Sequence, residues 1–278
     1  MNISEHIHKF EQEMRRRNFA KNTVENYTGC VKVFLEKIQK DHPKNVNEAD
    51  IRQFLQTYST VNTQRNYHSA IKLYYEICQH QKNKFKYIPY ARKNKALPIV
   101  LSQDEVQKMF DVCENLKHRV TLALLYSAGL RVSELINLKW EHIDRSRMII
   151  NIVGAKGNKD RQVMLAPELL PLFVDYYRAY KPQQYVLNGQ FPEKDLQYSD
   201  RSVLNVIKQL ASKAGISKRV YTHLMRHCSF THMVENGTDI NLIQKLAGHC
   251  SVKTTAIYTH ISHNLIRKIP SPISNIKF

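Results

Sequence analysis

The chain has 278 residues, enough for one large domain or two modest ones with a real hydrophobic core. Lysine and arginine number 42 against 24 acidic residues, and the net charge of +18 favours a polyanionic partner, because neutralised phosphates release condensed counterions. A ribosomal-type or membrane-surface protein would share this bias. Residues 1–98 carry 18 basic and 9 acidic side chains and the remainder carries 24 and 15, so each part has a net charge of +9. This even distribution excludes a single basic tail.

The cysteines and the apolar segments indicate where the protein works. Five cysteines show no CxxC pairing, and an odd number argues against a closed disulfide framework: Cys30, Cys78, Cys113, Cys228 and Cys250. We therefore predict reduced thiols in a cytosolic protein. The opening residues lack the apolar core of a signal peptide, and the longest apolar stretch, residues 120–130, is too short to span a bilayer. The sequence thus predicts a soluble, cytoplasmic protein with no membrane partner.

Residues 1–84 have the pattern of about four short helices. Residues 3–17 open the series, and Asn22 is the predicted N-cap of the second helix, because apolar residues follow it at helical spacing. A third helix is predicted to start at Asn47, and residues 63–80 continue the helical period. The first domain is therefore predicted to be a small helical bundle.

The helical pattern stops at residues 85–100, which are predicted to form a basic linker. This stretch has no amphipathic period, contains two prolines and is rich in lysine. Its charge would let it lie along a phosphate backbone. A second domain, residues 101–278, then begins with a capping box made by Ser102 and Glu105.

The second domain mixes helices with one predicted β-hairpin. Residues 120–130 predict a buried helix that stops at Gly129. β-branched runs on either side of a glycine-containing turn predict a hairpin over residues 148–166. Further helices are predicted in five segments: near residues 167–179, 200–214, 222–236 and 239–247, and from Val252 to Tyr258. The predicted fold class is mostly α with a small antiparallel β-sheet, in two domains.

Three common kinds of catalytic site are missing from the sequence. It has no GxxxxGK loop followed by serine or threonine for ATP, no HExxH motif for zinc and no GxSxG nucleophile elbow. Its acidic residues do not cluster as two-metal nucleases require. If the protein acts on phosphodiesters, we expect it to use no cofactor and no metal, and to hold the phosphate with cationic side chains.

Residues 221–232, YTHLMRHCSFTH, place His223, Arg226 and His227 within one turn of a predicted helix. A guanidinium fork matches two phosphate oxygens, and an imidazole can donate a hydrogen bond or accept a proton near neutral pH. A polar helix face is the more common explanation of a single His/Arg pair. The hypothesis that His223 and His227 bind a metal has even less support, because the local spacing supplies no third ligand.

Four other fragments favour a catalytic explanation of this motif. AGLRVSEL places Arg131 just after a glycine, and GAKGNKDR places Lys156 in the hairpin turn. LAGH ends in His249, and TTAIYTH carries Tyr258. Each residue alone has an ordinary structural explanation. Together with the His-x-x-Arg pair, in this order, they resemble the tyrosine recombinase family, which includes phage integrases and Xer-like proteins.

The resemblance spans both predicted domains, because the N-terminal helices resemble the family's core-binding, SAM-like domain. It implies an N-terminal core-binding bundle followed by a C-terminal catalytic domain. One departure lies in HLMRH, where members of the family often have leucine immediately before the arginine. Met225 is an apolar residue of similar size, so we expect repacking rather than loss of function.

The resemblance implies a nucleophile and two proton-transfer groups. Tyr258 would attack a DNA phosphodiester, form a 3′-phosphotyrosyl link and release a 5′-hydroxyl. Because the link conserves the bond energy, rejoining would need no ATP. His223 would be the base for the tyrosine proton, and Lys156 would be the acid for the leaving 5′-oxygen.

The same resemblance implies a phosphate clamp. Arg131 and Arg226 would bind the non-bridging oxygens and stabilise the charge of the transition state, and His249 would add a hydrogen bond. Glu134 is predicted either to orient Arg131 or to lie on the surface. His227 has no assigned role and is predicted to be a helix-face or core histidine.

The partners implied by the resemblance are duplex DNA and further copies of the chain. The DNA would carry a recombination site of inverted-repeat type, and a homotetramer on two duplexes would exchange strands in pairs through a Holliday junction. An accessory DNA-bending protein or a partner recombinase could join the complex. After Tyr258, Leu265, Ile266 and Ile269 stand at helical spacing. This tail is predicted to pack into a neighbouring subunit or on its own domain.

Three other functions would share some of these features. A type IB topoisomerase uses similar chemistry but relaxes supercoils without exchanging partners. A non-catalytic DNA-binding regulator would bind DNA without cutting it. An RNA-binding structural protein would explain only the charge. The small N-terminal helical domain and the Xer-like motifs favour the recombinase.

Overall fold

A computed structural model describes residues 2–92, 99–154, 160–189 and 197–248, together with Thr255 and Tyr258. The chain divides into two compact units, Met1–Lys95 and Ala96–Phe278. Both are built mainly from helices, and the second also contains a small antiparallel sheet. The predicted fold class is therefore confirmed.

The first unit is a helical bundle. Its four α-helices are α1 (Ile3–Arg16), α2 (Lys21–Ile38), α3 (Glu48–Gln56) and α4 (Val61–Ile77). Helix α2 packs against α1 and α4, and the apolar faces of the helices meet in a core that includes Phe10, Phe34, Ile51 and Tyr74. The apolar residues recur every three or four positions, so each helix presents one stripe to this core.

The predicted start of α2 is wrong by two residues. Ala20, not Asn22, occupies the N-cap, and its carbonyl oxygen accepts the backbone N–H of Val24 at 3.0 Å. Asn22 lies inside the first turn. The side chain of Ala20 offers no capping oxygen, so the cap residue carries no signal in the sequence.

The predicted helix start at Asn47 and the predicted capping box at Ser102 are confirmed, and both sites form a capping box. The Asn47 side chain accepts the backbone N–H of Asp50, and the Asp50 carboxylate accepts the backbone N–H of Asn47, each at 2.9 Å. Ser102 and Glu105 make the same reciprocal pair, at 2.7 and 3.1 Å, at the start of the second unit. Each pair satisfies two backbone donors that have no partner within the helix.

Part of the segment predicted as a linker, residues 85–100, packs against the first unit. Phe85 and Ile88 are buried in its core, and His68 Nε2 donates to the carbonyl oxygen of Ile88 at 2.8 Å. Residues 93–98 lie outside the described residues. The exact domain boundaries stay predictions.

The second unit surrounds a small sheet with helices. Its helices are α5 (Gln103–Asp111), α6 (Leu116–Ser127), α7 (Val132–Ile136), α8 (Leu169–Tyr180), α9 (Asp200–Lys213), α10 (Thr222–Glu235) and α11 (Ile240–Ala247). Its strands are β1 (Ile143–Asp144), β2 (Ile149–Ile152) and β3 (Arg161–Met164), in the order β1-β2-β3. The predicted hairpin is confirmed as β2 and β3, paired antiparallel with Ile150 opposite Val163. The short strand β1 was not predicted.

Helix α6 forms the centre of the second unit. It packs against α8 and α10, and its buried residues lie on every side of the helix, as expected for a helix enclosed by protein. Gly129 ends it with φ +57°, and a Cβ at this position would lie 2.7 Å from the ring of Phe230. The predicted glycine stop is therefore confirmed, and it turns the chain toward Arg131.

Some predictions fall on residues that the structure does not describe. Of the helix predicted from Val252 to Tyr258, Thr255 and Tyr258 are described, and both are helical and buried. The tail that contains Leu265, Ile266 and Ile269 lies outside the described residues. Among the helices that are described, none is long and apolar enough to cross a membrane. The four described cysteines form no disulfide.

Candidate active site

Arg131 stands at the start of α7, immediately after the turn at Gly129 and Leu130. Its backbone N–H and its Nη1 both donate to the Glu134 carboxylate, each at 2.7 Å. Its Nη2 donates to the carbonyl oxygen of Ala247, at the end of α11, at 3.2 Å. The Glu134 side chain is only 5 % exposed. The predicted orienting role of Glu134 agrees with these contacts, and its alternative as a surface residue is wrong.

Arg161 is a member of the site that the sequence analysis did not assign. It begins β3, and its Nη1 and Nη2 both donate to the carboxylate of Glu134, the latter at 2.8 Å. Its Nε donates to the carbonyl oxygen of Leu246 at 2.8 Å, and its side chain is 7 % exposed. The fragment GAKGNKDR ends in this arginine, so its proximity to Lys156 in the sequence was the available signal.

The Glu134 carboxylate is the acceptor that joins these two arginines. Burial by itself raises the pKa of Glu134, but hydrogen bonds from Arg161 and Arg131 outweigh it and hold the pKa at about 2. The group is therefore ionised throughout the neutral range. A buried carboxylate with several charge-assisted donors is a rigid anchor for the guanidinium groups around it.

Arg226 projects from α10 and is completely buried. Its Nη1 donates to the carbonyl oxygen of Gly129 and its Nη2 to that of Ala247. Its guanidinium carbon lies 4.7 Å from the centre of the Phe230 ring. Burial lowers the pKa of Arg226 to about 10, and the charges of Arg131 and Arg161 act in the same direction. Arg226 is therefore still a cation at neutral pH, and among the described residues no acceptor faces its Nε.

His223 and His227, the two histidines of the HLMRH motif, lie on the same side of α10. The rings of His223 and His227 are 4.7 Å apart, edge to face, and His227 is 5.7 Å from the ring of Tyr258. Partial desolvation lowers the pKa of His223, and the charges of Arg226 and Arg131 lower it further. The neutral imidazole, which can accept a proton, is therefore the main form at pH 7.

Tyr258 belongs to a small apolar cluster with Phe230 and is 1 % exposed. The two rings are 5.5 Å apart. Burial raises the pKa of Tyr258, while the positive charges of Arg226 and Arg131 oppose the rise. The phenol is therefore protonated at neutral pH, and it must lose its proton to act as a nucleophile.

Two of the six predicted site residues, Lys156 and His249, lie outside the described residues. Their neighbours in the chain are described: β2 ends at Ile152, and Gly248 follows α11 with φ +59°. The other four predicted residues come from three separate segments, and the structure brings them together. Met225, the departure from the family pattern, is buried in the core of the second unit.

A groove of about 680 Å³ opens beside the site. Arg131 and Glu134 line one end, and α7, the segment that follows it and β2 line the rest, with Lys139, His142 and Asn151 among the lining residues. Within the described residues, no group of three histidine, cysteine or acidic side chains is placed to hold a metal ion. The lining combines Arg131 and Lys139 with the Glu134 carboxylate and with apolar residues such as Leu138 and Ile152, so its charged side chains leave a small positive excess beside Arg131.

Two families of protein sequence match this chain. The phage integrase family matches residues 100–264. The N-terminal SAM-like domain of phage integrases matches residues 7–83. The two matches cover both compact units in the order that the sequence predicted.

Similar proteins match along nearly the whole chain. A putative integrase/recombinase of Sinorhizobium fredii is 32% identical, over 95% of this chain and 87% of the relative. The tyrosine recombinase XerA of Pyrococcus horikoshii is 31% identical, over 95% and 92%. The tyrosine recombinase XerC of Staphylococcus aureus is 29% identical, over 91% and 90%.

Solved structures share the fold. A crystal structure of XerA recombinase is 27% identical with a TM-score of 0.55, covering 95% of this chain and 96% of that one. XerH recombinase bound to palindromic difH substrate is 22% identical with a TM-score of 0.73, covering 90% and 80%. A lambda integrase tetramer bound to a Holliday junction is 16% identical with a TM-score of 0.77, covering 99% and 80%. At 22% and 16% identity, the similarity to XerH and to lambda integrase shows a shared fold.

Proposed function

Because the chain belongs to the phage integrase family of tyrosine recombinases, we propose that it cuts and rejoins duplex DNA at specific sites, with Tyr258 as the nucleophile. The observation that carries this assignment is the shared acceptor at Ala247. Arg131 and Arg226, which are 95 positions apart in the sequence, both donate to its carbonyl oxygen. Two guanidinium groups are thereby held side by side, close enough to the buried phenol of Tyr258 to lower its pKa against the effect of burial.

The two guanidinium groups hold the scissile phosphate in this proposal. Each can donate to non-bridging oxygens, and both are charged before DNA arrives, so little reorganisation is needed as charge develops in the transition state. The Nε of Arg226, which meets no acceptor among the described residues, is a donor that a phosphate oxygen can satisfy. His249 adds a hydrogen bond to the same phosphate.

Strand cleavage then follows as an in-line displacement at phosphorus. The Tyr258 oxygen forms a bond to phosphorus as the bond to the 5′-oxygen breaks, and the DNA is left with a 3′-phosphotyrosyl link and a 5′-hydroxyl. His223, which is mainly neutral at pH 7 because its pKa is lowered, takes the phenol proton. Lys156 gives a proton to the leaving oxygen. The reverse sequence rejoins a strand without ATP, metal or cofactor.

The proposal extends to the assembly. The homotetramer holds two duplexes and exchanges strands in pairs through a Holliday junction, as the fold shared with a lambda integrase tetramer on such a junction supports. Residues 1–84 form the core-binding domain, 85–100 the linker and 101–278 the catalytic domain, and the family matches at 7–83 and 100–264 support this division. The recombination site is of inverted-repeat type, and an accessory DNA-bending protein or a partner recombinase can take part. The protein works in the cytoplasm.

The other functions weighed from the sequence gain no support. The relatives named above are integrases and tyrosine recombinases, which favours neither a type IB topoisomerase nor a non-catalytic regulator. An RNA-binding structural protein would not require a buried tyrosine beside two guanidinium groups.

Covalent trapping tests the proposed function. The protein is incubated, with EDTA and without ATP, with fragments of the DNA around its own gene, nicked so that a short released strand diffuses away and rejoining fails. We expect a protein–DNA band that survives denaturing electrophoresis. Tyr258→Phe should abolish it, and Tyr176→Phe, which alters another fully buried tyrosine, should not. An equal yield from Tyr258→Phe would contradict the assigned nucleophile, and tight binding without an adduct would favour a non-catalytic regulator.

A further inference from the structure

Arg161 has no role in the chemistry proposed above, yet its guanidinium donates to both oxygens of the Glu134 carboxylate. Its Nη1 and Nη2 donate to the two oxygens of that carboxylate in a bidentate pair, here called the fork. Its Nε donates to the carbonyl oxygen of Leu246. A planar guanidinium paired in this way is fixed in both position and orientation. The side chain is nearly inaccessible, at 7 % exposed. Its contacts lie within the protein rather than along a surface that could meet DNA.

The fork of Arg161 determines how Glu134 can bind Arg131. Glu134 Oε1 accepts from Nη1 of both arginines, and Oε2 accepts from Nη2 of Arg161 and from the backbone N–H of Arg131. Arg131 is therefore left with Nη2 for the carbonyl oxygen of Ala247. Without Arg161, the carboxylate would be free to take both Nη atoms of Arg131 as a fork of its own. Arg131 would then turn away from Ala247 and from Arg226 beside it.

Arg161 also fixes the end of α11. Its bond to Leu246 lies one residue before Ala247, whose carbonyl oxygen is the acceptor shared by Arg131 and Arg226. A Cβ at Gly248 would lie 3.0 Å from Cδ of Arg161, so the side chain packs directly on the turn that follows the helix. One side chain from β3 therefore bonds to one acceptor of Arg131, the Glu134 carboxylate, and to the residue next to the other acceptor, Ala247.

We infer that Arg161 is a positioning residue for strand cleavage: it acts through Glu134 and the end of α11 to hold Arg131 beside Arg226, and it does not bind the DNA phosphate itself. This inference rests on the proposed function, in which Arg131 and Arg226 clamp the scissile phosphate. Its consequence is that Arg161 contributes to the rate of cleavage and not to the electrostatic part of DNA binding.

The test measures the single-turnover rate of adduct formation on nicked DNA at saturating protein. Arg161→Gln is expected to lower this rate about 100-fold, because a displacement of about 1 Å in a positioned group costs that much. Arg161→Lys keeps the charge but not the fork, so it should recover part of the rate. Arg147→Gln removes an exposed arginine of the same unit and should leave the rate unchanged. A wild-type rate for Arg161→Gln would overturn the inference.

A double-mutant cycle tests whether Arg161 acts through Glu134. If it does, adding Arg161→Gln to a protein that already carries Glu134→Gln should lower the rate of adduct formation little further, since the two residues work as one unit. Losses that multiply in the double variant would show independent action and overturn the inference. The double variant removes both buried charges together. It therefore remains informative if Arg161→Gln alone fails to fold, which thermal melting would reveal.

The salt dependence of DNA binding separates positioning from direct phosphate contact. Each lost phosphate contact reduces the slope of log Kd against log salt by about 0.9. Arg161→Gln should leave the slope unchanged, and a reduction of this size would overturn the inference. If the wild-type protein itself forms no adduct, the proposed function fails. If it does, and Arg161→Gln cleaves at the wild-type rate, only the inference about Arg161 fails.

Discussion

At the scale of single residues, the main feature of this protein is a guanidinium group with no exposed surface. Burying a charge costs several kcal/mol unless hydrogen bonds and opposite charges compensate it. Arg226 is compensated by two carbonyl oxygens and by the nearby carboxylate of Glu134. Among the described residues, that carboxylate accepts hydrogen bonds from the guanidinium groups of Arg131 and Arg161 and interacts electrostatically with that of Arg226. The site therefore holds excess positive charge in place before any anion binds.

The first prediction follows from the geometry of Arg226. Lysine would keep the charge, but a single ammonium group cannot reach the carbonyl oxygens of Gly129 and Ala247 and also hold a phosphate oxygen. Arg226→Lys is therefore expected to lower the single-turnover rate of adduct formation by about 10²- to 10³-fold. Arg219→Lys, on an exposed position of the same unit, is the matched control. Equal rates for the two variants would contradict the proposed clamp.

The second prediction concerns the pH dependence of cleavage. His223 must be neutral to accept a proton, and its pKa is lowered from the ordinary value near 6.5 by desolvation and by Arg226 and Arg131. The second-order rate of adduct formation should therefore be flat from pH 7 to 8, and should fall only as the pH drops below about 6.5. Measuring this rate with His223→Gln checks the assignment. The variant should be slower and should lose the acid limb, and an unchanged profile would exclude His223 as the base.

At the scale of elements, the site forms where the ends of α6 and α11 lie beside the start of α7. The carbonyl oxygens of the last turn of a helix have no partner within it, and the helix dipole favours cations there. Gly129 follows α6, and Leu246 and Ala247 end α11. Their carbonyl oxygens accept from Arg131 just before α7, Arg226 on α10 and Arg161 on β3. The helix ends therefore supply acceptors that no side chain has to provide.

The third prediction tests the turn at the end of α6. Gly129→Ala should lose about 1–2 kcal/mol from left-handed backbone strain and about 1–3 kcal/mol more from overpacking, because the new Cβ would lie 2.7 Å from Phe230. Gly215 has φ +68° just after α9, with nothing within 4 Å of a Cβ. Gly215→Ala should therefore lose only the free energy of unfolding that comes from left-handed backbone strain. Urea denaturation of both variants gives the comparison, and equal losses would mean that the Phe230 contact relaxes freely.

At the scale of the whole molecule, the positive charge is divided equally between the two parts of the chain, +9 on residues 1–98 and +9 on the rest. Each unit has its own hydrophobic core. Because both units are basic, each of them can contact phosphates of the same DNA duplex. The binding energy is then strongly dependent on salt, while cleavage in the proposed mechanism depends on the small cluster around Glu134.

The fourth prediction follows from that division and concerns the linker. Lys86 and Arg92 are exposed within residues 85–100. The double change Lys86→Gln/Arg92→Gln should reduce the slope of log Kd against log salt by about 0.9 for each lost phosphate contact. The control is Lys21→Gln/Lys32→Gln, which alters exposed residues of α2 that lie 4.0 Å from Glu25 and Glu36. An unchanged slope in the linker variant would contradict the prediction that the linker follows the DNA backbone.

The sequence by itself determined most of the secondary structure and the order of the candidate catalytic residues along the chain. Helical spacing of apolar residues predicted most of the helices, and β-branched runs around a turn predicted the hairpin, because both patterns are local. The short helix α7 was not predicted. The order Arg131, Lys156, His223, Arg226, His249, Tyr258 indicated the family, since residue types at set positions are visible in a linear chain. The misplaced N-cap of α2 shows the limit of such patterns: Ala20 caps through its backbone alone.

Only the tertiary structure decided how the site is held together. Arg161 and Glu134 are 27 positions apart, and no local spacing indicates that they form a fork. The shared acceptor at Ala247 is a backbone carbonyl, which every residue possesses and which therefore leaves no mark in the sequence. The short strand β1 forms because β2 is available to pair with it. Such contacts depend on which segments meet in space, and that follows from packing the whole unit.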